Sequence, residues 1–127
     1  MNLNEISTPA LAYLGDCVIE LCVRRHLVES GLSTSAHLNA AALDYVRAPA
    51  QAAAMKRLMP HLTDVEEAYF RRGRNLGHSN VPKRSTVSEY RAATGMEVLF
   101  GYLHLTGQEE RIQQLFRLAY PAEPWED

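Results

Sequence analysis

The chain has no apolar run approaching the roughly 18 residues that a membrane-spanning helix needs. Its N-terminus also lacks a basic stretch followed by an apolar one, so neither a membrane anchor nor a secretory leader is expected. Cysteine is scarce, with only Cys17 and Cys22 among 127 residues. Five positions apart in a predicted helix, they lie about 140° around it and cannot bridge each other. Both are read as small buried hydrophobes in a reducing, cytoplasmic setting. The five histidines are scattered, none pairs at helical spacing, and no Cys/His spacing suggests zinc. There is no internal repeat, no low-complexity segment and no credible strand. With 46% hydrophobic and 22% charged residues, what remains is one domain with a single core.

Charge of either sign is also nearly absent in sum, the net being −2. Its distribution is uneven. From Arg71 to Arg91 there are six basic residues (Arg71, Arg72, Arg74, Lys83, Arg84, Arg91) against Glu89, a local net of +5 on a body of −7. A basic segment on an acidic body reports on an anionic partner.

Apolar periodicity is helical almost throughout, and an all-α fold of six to seven helices is expected. The first helix starts at Ser7-Thr8-Pro9 and stops before Gly31. An Ala-rich helix runs from Ser35 to Val46, and after Pro49 breaks the pattern another reaches Met59. Thr63-Asp-Val-Glu66 is a capping box opening a helix to about Arg72, and Thr86-Val-Ser-Glu89 opens one to Leu105. Between them, GRNLGHSNVPKRS reads as a long loop of the kind that is functional or disordered. A last helix covers Glu109 to Tyr120, so residues 1–120 are expected to form the domain and 121–127 a flexible tail.

The first helix raises a question. Projected at about 100° per residue, Leu11, Leu14, Val18 and Leu21 make the expected core stripe. Asp16 falls opposite them with Tyr13, Glu20 and Arg24, while Ala12, Ile19 and Val23 form a second apolar strip. A helix apolar on more than one side is central or lies at a subunit interface. Periodicity alone leaves Asp16 and Glu20 as a solvated face. In the late helix, Ala92, Met96, Leu99 and Leu103 form the core stripe, and Glu97 sits on another face. Gly95 and Gly101 each cost up to about 1 kcal/mol relative to alanine there, which points to close helix packing or to room for a ligand. Each of two helices thus carries a carboxylate near a glycine that helix propensity would not choose. Two such carboxylates facing each other can hold a hard cation such as Mg²⁺, and the basic segment would suit a phosphodiester beside it.

The segments LAYLGD and ATGMEVLFGYL resemble the paired signatures of the ribonuclease III catalytic domain. With DYVRAPAQA, FRRGRN and PK between them in order, the closer resemblance is to Mini-ribonuclease III, the branch without a double-stranded-RNA-binding domain. The resemblance implies a homodimeric, Mg²⁺-dependent endonuclease for double-stranded RNA, with Mn²⁺ as a substitute metal. It also implies large-subunit (23S) ribosomal RNA precursor as substrate, with a ribosomal protein as its presenter. Asp16 and Glu97 match the family's catalytic metal ligands. Ala12 and Thr94 stand where full-length relatives carry further carboxylates, so the cluster is pared down. Glu20 and Thr94 are placed beside the metal ligands, Glu20 orienting a water. Arg72, Arg74, Asn75, Lys83 and Arg91 match elements that would contact RNA phosphate or ribose. The lost carboxylates keep a second reading open, a non-catalytic RNA-binding or ribosome-assembly module on the same fold.

Overall fold

A computed structural model describes residues 2–77 and 85–121. It contains six α-helices and two single 3₁₀ turns, with no strand among the described residues. The helices are α1 (Thr8–Glu29), α2 (Ser35–Val46), α3 (Ala48–Leu58), α4 (Asp64–Arg74), α5 (Val87–Leu105) and α6 (Glu109–Ala119). Local chemistry sets the starts. Ser7 caps α1 and Thr34 caps α2, each accepting a backbone N–H. Both capping boxes are present, with Thr63 paired to Glu66 and Thr86 to Glu89.

Helix α5 is the centre, and α1, α3, α4 and α6 all pack against it. It is buried on nearly every side, with Met96, Val98, Leu99, Phe100 and Leu103 fully enclosed. Two glycine pairs make its closest approaches. A Cβ on Gly15 of α1 would land on the carbonyl oxygen of Glu97, and one on Gly101 would strike the Leu11 carbonyl. On the α4 side, a Cβ on Gly73 would come within 2.7 Å of the Gly95 Cα, and one on Gly95 within 2.5 Å of the Phe70 ring. Close packing, rather than space for a ligand, is what Gly95 and Gly101 provide.

The same packing corrects three expectations. Helix α4 continues to Arg74 instead of ending near Arg72, because Gly73 is seated against α5 and Asn75 closes the last turn onto the Arg71 carbonyl. Leu21, placed in the core stripe of α1, is 68% exposed, whereas Ile19 and Val23 of the second strip are buried. The cause is Gly15: α1 turns its glycine toward α5, and the residues a turn or two along that face follow it inside. Cys17 is exposed and only Cys22 is buried.

An ion pair fastens α6 to the start of α4. Arg111 donates from Nε and Nη2 to the two Glu66 carboxylate oxygens at 2.8 Å each, and from Nη2 to the His61 carbonyl at 2.7 Å. Burial opposes charge on Glu66, yet the Arg111 guanidinium and the Thr63 N–H outweigh it and hold the carboxyl below its usual range. At the end of α6, Tyr120 donates its hydroxyl to the Tyr45 carbonyl at 2.7 Å. Residues 122–127, most of the expected flexible tail, lie outside the described residues.

Candidate active site

The glycine crossing of α1 and α5 decides where the two carboxylates sit. Asp16 follows Gly15 directly, and Gly15 rests on the backbone of Glu97. The side chains of Asp16 and Glu97 therefore meet within hydrogen-bonding reach. Burial, then the Asp16 charge, then the hydrogen bond to Asp16 push the Glu97 carboxyl up to about 8. A carboxyl held protonated near neutrality beside a second carboxylate marks a place that lacks a compensating cation.

One turn from Asp16, Glu20 forms a loose pair with Arg24 at 3.6 Å through Oε1. Its Oε2 is buried and has no hydrogen-bond partner. The donor set fits a hard divalent cation: two carboxylates in contact, a proton a cation would displace, and an orphaned carboxylate oxygen nearby. No group of three His, Cys, Asp or Glu side chains converges among the described residues. The candidate site is thus Asp16 with Glu97, and Glu20 lies beside it rather than in it. Thr94 is buried and donates its hydroxyl to the Tyr90 carbonyl of its own helix at 3.1 Å.

Glu97 also walls a cleft of about 520 Å³. One side is α5, with Tyr90, Ala93 and Thr94, and the other is the α2–α3 junction, with Arg47, Pro49 and Gln51. Sequence reasoning passed over Arg47 and Gln51. The available signal was Gln51 itself, a polar residue at helical spacing with Ala54, Met55 and Leu58 on an otherwise apolar stripe.

The basic residues are distributed less simply. The seat of Gly73 against Thr94 and Gly95 carries the basic end of α4 to the stretch of α5 that holds Glu97. Arg74 and Asn75 are exposed there, and the Arg74 guanidinium lies 5.8 Å from the Phe70 ring centroid. Arg91 is exposed on α5. Arg72 has structural commitments: it donates to Thr8 Oγ1 at 3.0 and 3.2 Å and to the Ile6 carbonyl at 3.4 Å. It thereby clasps the N-terminal segment to α4. Lys83 lies outside the described residues.

The chain and its fold are similar to those of known proteins. The Ribonuclease III domain family matches residues 9–108. The chain is 45% identical to Mini-ribonuclease 3 of Symbiobacterium thermophilum, over 91% of each chain. It is 44% identical to Mini-ribonuclease 3 of Enterococcus faecalis, over 87% of this chain and 86% of that one. Among solved structures, protein FN1578 of Fusobacterium nucleatum superposes with a TM-score of 0.85 at 27% identity, covering 94% of this chain and 98% of that one. With the family matched over most of its length, and the glycine-seated carboxylate pair in place, the chain belongs to the Mini-ribonuclease III branch of the ribonuclease III family and is a ribonuclease III-type endoribonuclease.

Proposed function

We propose that this protein hydrolyses phosphodiester bonds of double-stranded RNA in a Mg²⁺-dependent reaction centred on Asp16 and Glu97. The observation that carries the reading is the α1–α5 crossing at Gly15, which brings the two carboxylates together beside an open cleft. Asp16 and Glu97 hold the cation, with Mn²⁺ as a substitute, and Glu20 orients water next to it. When bound, the cation supplies Lewis-acid polarisation of the phosphate and lowers the pKa of water. Arg74, Asn75 and Arg91, with Arg72 and Lys83 as further candidates, engage the RNA backbone. Such contacts are salt-sensitive and follow duplex shape more than base sequence.

We infer a homodimer. Tyr13, Leu21 and Val28 of α1 are 86%, 68% and 62% exposed and, with Cys17, line one face of the helix, interrupted by Arg24. A face of this kind suits a second copy of the chain. The substrate we assign is large-subunit (23S) ribosomal RNA precursor in the cytoplasm, presented with a ribosomal protein. Among the described residues no helix is long and apolar enough to cross a membrane.

The test is direct. Purified protein incubated with a structured RNA duplex should cut it with Mg²⁺ and leave it whole with EDTA. Glu97→Gln should stop cutting while RNA binding persists. Saturable binding with intact RNA under both conditions would overturn the catalytic reading.

A further inference from the structure

The cleft beside Glu97 has a feature that catalysis by the carboxylate pair does not use. Gln51 is only 4% exposed and lies on the stripe of α3 that also carries Ala54, Met55 and Leu58, all buried. The side-chain hydrogen bonds of the described residues include none to Gln51, and its amide atoms are not among the enclosed polar atoms, so they open onto the cleft that the residue lines. Its amide is both donor and acceptor, and so is a hydroxyl group.

The start of α3 supplies the complementary half. Arg47 is the N-cap and makes no side-chain cap hydrogen bond. The first intrahelical bond there runs from the Gln51 N–H to the Arg47 carbonyl, so the N–H groups of Ala48 and Ala50 have no acceptor within the helix. Pro49 has no N–H to offer. Backbone donors at a helix N-terminus, reinforced by an arginine, suit a phosphate. Among the described residues, Arg47 is the cleft's one basic lining residue and Glu97 its one acidic residue. The walls therefore differ in charge, basic at the α3 start and acidic at α5. A volume of about 520 Å³ lies in the usual range for small-ligand sites.

We propose that this cleft is a ribose-phosphate subsite for a nucleotide adjoining the cleaved bond. Gln51 engages the 2′-hydroxyl, and Arg47 with the first turn of α3 engages the phosphate. The proposal rests on the endoribonuclease reading above and gives it a substrate-positioning residue and a means of telling RNA from DNA next to the cut.

The experiment is a cycle between protein and substrate. Duplex RNAs carrying one 2′-deoxy nucleotide at each position flanking the cut are cleaved by the wild type and by Gln51→Met. For the wild type, one position should lower kcat/KM about tenfold, the scale of one lost neutral hydrogen bond. Gln51→Met should lose a similar factor on all-RNA substrate and nothing further on that deoxy duplex. Because methionine fills much the same space, Tm should hold. Arg47→Ala should flatten the salt dependence of RNA binding by about one phosphate contact. Additive losses at every position, wild-type cutting by Gln51→Met, or a lowered Tm for that variant would overturn the subsite alone. A wild type that cuts no duplex overturns the catalytic reading, and the subsite with it.

Discussion

Replacing Glu97 by glutamine should make the cation-free protein more stable at neutral pH, even though it removes half of the metal site. In the unfolded chain the Glu97 carboxyl titrates near 4.5, and in the fold near 8. Below pH 4.5 both states carry the proton and folding is unaffected. As pH rises toward 8 the unfolded chain has released its proton while the fold retains it, so stability declines by about 1.4 kcal/mol per unit. At pH 7 the accumulated loss is about 3 kcal/mol, which glutamine escapes because it never ionises. For a domain of this size that corresponds to roughly 10 °C in Tm. Thermal melts of the wild type and Glu97→Gln in EDTA should nearly coincide at pH 5 and separate by that amount at pH 7. Mg²⁺ should then narrow or invert the difference, because it binds only the ionised pair. Calorimetry in buffers of different ionisation heat should register proton release on Mg²⁺ binding at pH 7. A variant no more stable than the wild type at pH 7 in EDTA would refute the raised Glu97 carboxyl.

Gly15→Ala should cost about 2 kcal/mol net, the clash with the Glu97 carbonyl exceeding the roughly 1 kcal/mol of helix propensity gained. Chemical denaturation measures it, and cleavage should fall further than stability because Asp16 is moved from Glu97. Arg111→Ala leaves the buried Glu66 carboxylate unpaired and should cost about 3 kcal/mol by the same assay. Since Glu66 is held below 4.5 in the fold, the stability it contributes should be present above that pH and vanish as pH falls through its folded value, a trend absent from Arg111→Ala. Leu21→Arg, on the exposed strip of α1, should give a monomer by sedimentation equilibrium with helical content unchanged.

Helix existence and starts were legible because they depend on local chemistry: the capping hydroxyls, the prolines at first turns and the two capping boxes all act over three or four residues. Facing was less legible. Helix α1 is apolar on two sides, and periodicity puts Leu21 in the core stripe and Ile19 in the second strip. What reverses their order is the approach of α5 onto Gly15, a contact between residues more than eighty positions apart. The end of α4 shifted for a related reason, since Gly73 reads as a helix breaker until α5 is there to receive it. Asp16 and Glu97 were identifiable through their family motifs, while their contact needed the fold. Gln51 escaped notice because an amide in an Ala-rich helix is ordinary in sequence, and only the fold encloses the residue while opening its amide onto the cleft.

The seat of Gly15 on the Glu97 carbonyl makes the gap between the two carboxylates a main-chain dimension. Elsewhere in the core, spacing depends on side chains such as Ile19, Met96 and Leu99, which rotate and repack when their neighbours change. Where backbone touches backbone there is no side chain to adjust, so the gauge of the site is insulated from drift in core composition. Libraries that repack the interior around α5 should therefore yield variants spread widely in Tm but narrowly in kcat, provided the glycines at 15 and 101 are left alone.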